Sequence, residues 1–176
     1  MAREEQTKLK RLIRLAATAD AAELAMIKSA PRRPSLLDDG AAAMSEELDF
    51  LDRLALPHGD DYFCLVAEED DHVVGYLIGG GSRDLDRKAH GEIYEIAVLP
   101  ASRRRGVATA LLGAALERFD TAAFAGTLLS VASDDDASAH LAIGLGMRID
   151  GHRDDERSIV RFERGLNATN RERSNP

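Results

Sequence analysis

Hydrophobic and polar positions change period several times along this chain, and each change predicts an element. "LKRLIRLAA" (9–17) sets Ile13 and Leu15 against arginines in alternation, the pattern of a strand. "TADAAELAMIKSA" (18–30) places Ala22, Leu24, Ala25 and Ile27 on a helical stripe, with Thr18 or Asp20 as N-cap and a stop before Pro31. "PRRPSLLDDGAA" reads as a loop, and "AMSEELDFLDRLAL" as a second helix, with Leu48, Leu51 and Leu54 three apart and Pro57 closing it. The period then drops to two. "DYFCLVAEE" and "HVVGYLIGG", joined through "EDDH", predict an antiparallel hairpin, and after the polar loop "GSRDLDRKAHG" comes a further strand, "EIYEIAVLP".

"VATALLGAALERF" returns to helical spacing, with Val107, Ala110, Leu111 and Ala114 on one face and Leu112, Ala115, Leu116 and Phe119 broadening it. "GTLLSVAS" is a strand, "DASAHLAIGLG" a short helix ended by a left-handed Gly146, and "MRIDG…SIVRFERG" a closing strand pair. The order is β-α-α-β-β-β-α-β-α-β-β, which predicts an α/β (α+β) protein: a mixed, twisted sheet of six to seven strands flanked by about four helices. Residues 1–166 are expected to form one domain. The tail 167–176 has nothing to bury and is expected to be disordered.

Composition narrows the function classes. The chain has 176 residues, 44% hydrophobic and 31% charged, with no run near the ~20 apolar residues of a membrane span. Its first residues, "MAREEQTKLKRL", lack the apolar core of a signal peptide, so the expected location is cytoplasmic and no membrane partner is expected. The single cysteine, Cys64, sits in an apolar run and reads as a buried small hydrophobe. A net charge of −8 argues against polyanion binding and favours cationic substrates. No histidine spacing suggests a metal site, and "SDDDAS" reads as a helix cap.

Against that acidic background "RRRGVATALL" stands out. A strand ends at Pro100, a short turn follows, and a helix starts near Gly106; the first turn of a helix carries unpaired amides and a positive dipole end, a place for an anion. Gly106 admits close approach, Ala108 keeps the mouth open, and the hydroxyl of Thr109 lies one turn in. Neither a P-loop nor a GxGxxG fingerprint is present, and no wide basic face with interleaved aromatics points to nucleic acid.

The pattern Arg103, Gly106, Ala108, preceded by "EIAVLP", resembles motif A of the GNAT superfamily of acetyl-CoA-dependent N-acetyltransferases, (Arg/Gln)-x-x-Gly-x-(Gly/Ala). "IRLAATADAAELAMI" resembles the family's first strand and helix, and "LAIGLGM…IVRFERG" its final corner and strands, so the likeness spans roughly residues 11 to 165. It implies the GNAT fold and acetyl-CoA as co-substrate. The backbone of Ile96, Ala97 and Val98 would hold the pantetheine arm between splayed fourth and fifth strands. Arg103, Arg104, Arg105, Gly106, Val107, Ala108 and Thr109 would receive the pyrophosphate, largely through backbone amides.

For chemistry the resemblance implies a carboxylate near strand four that takes a proton from the attacking amine. Glu92 matches the position used in histone-type members, and Glu95 a position commonly acidic in small-molecule members. Strict alternation puts Glu92 with Tyr94, Ile96 and Val98 on one face and Glu95 with Ala97 on the other, although a bulge, frequent in this strand of the family, would break that parity. The family's asparagine position falls on Asp135, and its general-acid tyrosine on Ala142, so the phenol is missing; His140, two residues away on a helix, is a poor substitute. The resemblance thus implies an enzyme acting on a primary amine of a small molecule, cationic by the acidity of "PRRPSLLDDGAAAMSEELDFLDRLALPHGDD", or on a lysine side chain. The alternative is a non-catalytic acyl-CoA-binding sensor. A homodimer is compatible with the family.

Overall fold

In the computed structural model, residues 10–30, 62–83, 89–122, 124–154 and 159–165 are described. They carry β1 (Arg11–Leu15), a 3-10 turn (Thr18–Asp20), α1 (Ala21–Ser29), β2 (Phe63–Glu69), β3 (His72–Arg83) and β4 (Ala89–Val98). After a second 3-10 turn (Pro100–Ser102) come α2 (Val107–Thr121), β5 (Gly126–Ala132), α3 (Asp136–Gly144), β6 (Arg148–Asp154) and β7 (Ile159–Gly165). The helix expected around Leu48–Leu54 and the tail lie outside the described residues.

Seven strands make one sheet in the order β1-β2-β3-β4-β5-β7-β6. Every pairing is antiparallel except β4 with β5, which α2 connects. The mixed sheet of the sequence reading is what forms. β2 reads as an unbroken apolar run because both its faces are covered. Phe63, Leu65 and Ala67 join the core that α2 closes, with Leu77, Ile93, Leu111, Leu112, Phe119 and Phe162. Cys64 and Val66 join a second core under α1, with Leu24, Ile27, Tyr76 and Ile78. Each fully buried large side chain contributes about 1.5–3 kcal/mol, so the two faces together hold the helices on the sheet. At the far end of α2, Arg164 of β7 donates to Asp120 at 2.9 Å.

Two expectations need correction. The polar loop predicted at 81–91 is shorter, because the ladder continues through Gly81↔Gly91, Ser82↔His90 and Arg83↔Ala89. Backbone hydrogen bonds extend strands without help from side-chain pattern, which is why the polar residues concealed them. Asp20 holds the expected N-cap position of α1, but neither its side chain nor that of Thr18 makes a capping bond to the helix. Asp20 instead accepts from the Ala17 amide at 2.7 Å and from both terminal nitrogens of Arg14, at 2.7 and 2.9 Å, while Arg14 Nε reaches Glu68 at 2.8 Å. Hydrogen bonding from Arg14, against the opposing effect of burial, holds the Asp20 carboxyl below its ordinary range, and the same bond to Asp20 raises the guanidinium. This cluster knots β1, the 3-10 turn and β2.

The β2–β3 hairpin closes on Asp70 and Asp71, both left-handed (φ 50° and 64°), the geometry of a two-residue type I′ turn.

Candidate functional site

The site begins at an interruption in β4. Gly79 pairs with Ile93 but Ile78 pairs with Glu95, so Tyr94 is an extra residue on the β4 side, a β-bulge. Cross-strand partners share a face. Ile78 belongs to the core under α1, and Gly80, two residues on and facing the same way, pairs with Glu92. Glu92 and Glu95 therefore lie on the same face, that of α1, while Ile93 and Ile96 turn to the α2 core. Strict alternation had separated the two glutamates; the bulge reunites them.

Their surroundings differ. Glu95 accepts from the buried Tyr76 hydroxyl at 2.8 Å and lies 3.6 Å from the Lys28 ammonium of α1. Glu92 is half-buried and makes no side-chain hydrogen bond or ion pair among the described residues. A carboxylate free of partners is the better placed to take a proton from an incoming group.

Immediately after this point β4 and β5 separate. Their parallel ladder comprises Gly91↔Thr127, Glu92↔Leu128 and Ile93↔Leu129, although the strands run on to Val98 and Ala132. The edge of β4 beyond Ile93 is thus unpaired on the β5 side. Leu99 donates its amide to Val74 O of β3 at 2.9 Å. The two-residue period then turns the backbone of Ala97 toward β3 and that of Ile96 and Val98 toward the gap. Of the three residues expected to line a pantetheine arm, two face the opening. One of their acceptors, Val98 O, is already taken by Arg103 Nε at 3.0 Å.

Beyond the end of β4 and the 3-10 turn stands the N-terminus of α2. Gly106 is its N-cap in the left-handed region (φ 78°), and the amides of Val107, Ala108 and Thr109 have no partner within the helix. A Cβ at Gly106 would touch only Arg11 Nη1, at 3.7 Å, so the glycine is required by its backbone angle and not by crowding. Gly106 and Thr109 are exposed and Ala108 partly so, leaving the mouth open. No acidic residue stands in the first turn to compete with an anion.

The three arginines are used unequally. Arg103 is tied to Val98 O. Arg105 reaches the buried Glu69 at 3.2 Å, and its own carbonyl accepts from Arg11 Nη2 at 2.8 Å. Arg104, itself left-handed at φ 61°, is exposed and makes no side-chain contact among the described residues. Arg11, Glu69, Lys28 and Tyr76 went unnoticed in the sequence. Only the antiparallel register, Arg11↔Glu69, brings the first two together, and a pattern of residue types does not state a register.

The remaining expected positions stand on or beside α3. Asp135 caps α3, accepting from the Ser138 amide at 3.1 Å and from its hydroxyl, as "SDDDAS" implied. Ala142 is fully buried in the α2 core. His140 is exposed, its Nδ1 2.6 Å from Asp136 O on its own helix. Burial, with smaller contributions from Asp20 and Glu95, pushes the Cys64 thiol up to about 12, as suits a core residue. Among the described residues no cluster of three ligating side chains could hold a metal ion, and no helix is long and apolar enough to cross a membrane.

The described chain is thus an α/β protein with a mixed sheet whose one parallel pair separates past Ile93 and a helix N-terminus with unpaired amides beyond β4. The chain matches the Acetyltransferase (GNAT) family over residues 25–147 and belongs to it. Among solved structures it resembles the PaiA N-acetyltransferase of Thermoplasma acidophilum in complex with coenzyme A, at TM-score 0.70 and 14% identity over 90% of this chain and 100% of that one. It also resembles a GNAT acetyltransferase of Streptococcus pneumoniae (TM-score 0.68, 20% identity, 90% and 100% covered). A putative acetyltransferase of Salmonella typhimurium with acetyl-CoA is similar as well (0.64, 21%, 90% and 95%). At such identities the likeness is one of fold. No curated protein matches the chain in sequence.

Proposed function

We propose that this chain moves an acetyl group from acetyl-CoA to a primary amine by direct attack within a ternary complex. The observation that carries the reading is the β4–β5 separation past Ile93, with Glu92, unpartnered among the described residues, at its inner end and the N-terminus of α2 beyond its outer end. In this reading the freed backbone of Ile96 and Val98 binds the pantetheine arm. The amides from Gly106 to Thr109 receive the pyrophosphate, with Arg104 the arginine free to add charge. Glu92 accepts the proton of the ammonium, directly or through water, as nitrogen attacks the thioester carbonyl. The C–S bond breaks and the thiolate departs; with Ala142 in place of a phenol, solvent supplies its proton. Glu95, held by Tyr76 and Lys28, sets the field around Glu92. Holding amine and thioester together contributes ~7–11 kcal/mol in well-oriented systems, so positioning carries most of the rate.

The acceptor belongs to segments 31–61 and 84–88, outside the described residues, and the acidity of the first favours a cationic small molecule or a lysine side chain. A cytoplasmic setting suits such a reaction. A second reading, an acyl-CoA-binding protein without turnover, draws on the missing phenol at Ala142.

One experiment separates them. Glu92→Gln should leave CoA affinity within twofold and lower turnover tenfold or more with any acceptor that supports it. Glu95→Gln should act less on turnover. Unchanged turnover in Glu92→Gln would remove it as base, and no turnover by wild type across polyamine, aminoglycoside and lysine-peptide acceptors would favour the second reading.

A further inference from the structure

We propose that Glu69 is a positioning residue for the anion-binding loop, acting through Arg11 and Arg105. This rests on the reading that the loop receives the pyrophosphate of coenzyme A.

Glu69 ends β2 with its side chain only 3% exposed. One carboxylate oxygen accepts from Arg11 Nε and Nη2, at 3.0 and 2.6 Å, and the other lies 3.2 Å from Arg105 Nη2. Arg11 Nη2 also donates to the Arg105 carbonyl at 2.8 Å. Side chain and backbone of Arg105 are therefore both fastened, one by Glu69 and one by the arginine that Glu69 orients.

The peptide bonds described are all trans. In a trans peptide the carbonyl of one residue and the N–H of the next point in opposite directions. Holding the Arg105 carbonyl toward Arg11 thus turns the Gly106 N–H away from Arg11. Arg105 is flanked by two left-handed residues, Arg104 and Gly106. A left-handed non-glycine residue persists only where its surroundings over-determine it, and this tether supplies that determination. A buried carboxylate between two guanidiniums adds little to stability over an apolar core, so its place against this loop fits a role in geometry.

The test titrates CoA and, separately, pantetheine, which lacks the pyrophosphate, into wild type, Glu69→Gln and Arg11→Gln. Circular dichroism checks that each is folded. The expected result is a CoA Kd raised tenfold or more in both variants and a pantetheine Kd within twofold of wild type. Equal loss for both ligands would mean a general structural lesion and would overturn the proposal. CoA binding within twofold of wild type in either folded variant would overturn it too. If Glu69→Gln does not fold, Arg11→Gln, at a residue one-quarter exposed, carries the test alone. Absence of CoA binding by wild type would instead overturn the pyrophosphate reading itself, and this proposal with it.

Discussion

Gly106→Ala isolates the backbone requirement of the proposed phosphate mouth. At φ 78° an L-residue costs roughly 1–2 kcal/mol, and the added methyl meets nothing closer than Arg11 Nη1 at 3.7 Å, so the angle is the whole perturbation. The variant can meet this cost in two ways. If the loop keeps its shape, the cost appears as lost stability, a fall in Tm of about 2–4 °C per kcal/mol for a chain of this size. If the loop relaxes locally, stability is preserved and the binding-competent form becomes the minor state, weakening CoA about 5–30-fold for the same free energy. The two losses must therefore add to roughly 1–2 kcal/mol, however they divide. Thermal unfolding and calorimetric titration of CoA measure them on one preparation. Gly106→Asn, whose side chain tolerates the left-handed region and also caps helices, should lose less on the sum. A sum below about 0.5 kcal/mol for Gly106→Ala would refute the argument that the left-handed cap is fixed in the folded protein. Gly106→Glu adds a negative charge to the mouth and should weaken CoA beyond the alanine variant while matching it in stability.

Three further outcomes follow from the packing. Asp20→Asn should cost about 2–4 kcal/mol at pH 7, below the range for fully buried pairs because Arg14 is partly exposed and keeps Glu68. Because the folded Asp20 carboxyl lies below its unfolded value, its stabilisation is full above the unfolded value and is lost as pH falls through the folded one. Wild type and variant should thus converge in denaturant midpoint toward strongly acid pH, and a constant gap would contradict the assignment. Ala142→Tyr, which restores the family's phenol, should instead destabilise by about 1–3 kcal/mol by overfilling a closed core, read as a lowered Tm without gain in turnover. Cys64, with its thiol pushed up to about 12 and no exposed surface, should resist iodoacetamide in the native protein at pH 8 and react once unfolded.

The order of elements was legible because period and turn residues announce it: the hairpin turn at Asp70–Asp71 and Gly146 after α3 stand where the pattern placed them, and of the predicted face of α2 Val107 and Leu111 are buried together with the broadening Leu112, Ala115, Leu116 and Phe119, while Ala110 and Ala114 are only partly so. The glycine-led start of α2 was legible too, since a glycine after a strand and before a buried helix is a local signal. What failed to show was long-range. That Arg103 and Arg105 serve as struts depends on Val98 and Glu69, and Glu69 depends on Arg11, fifty-eight residues away. Three adjacent arginines look alike in sequence; the fold ties one to the Val98 carbonyl and one to the Glu69 carboxylate, and leaves Arg104 exposed. Asp20 stands at the N-cap position the pattern gave it, but Arg14 claims its carboxylate.

The bulge at Tyr94 joins these observations. An extra residue on one strand of an antiparallel pair bends it and increases its twist. It falls directly after Ile93, the last residue of β4 that pairs with β5. β4 can stay hydrogen-bonded to β3 through Val98, but to do so with one residue more it must turn, and the β5 side is where the ladder gives way. The same insertion shifts the side-chain parity by one, which carries Glu95 to the face of Glu92 and moves Ile96 over to the α2 core. A slot between strands and a pair of carboxylates on one face are therefore two results of one irregularity. Deleting Tyr94 restores strict pairing and sets Glu92 and Glu95 two residues apart, still on one face, so it should close the gap alone and abolish CoA binding; CoA affinity unchanged from wild type in the folded variant would show that the bulge does not open the slot.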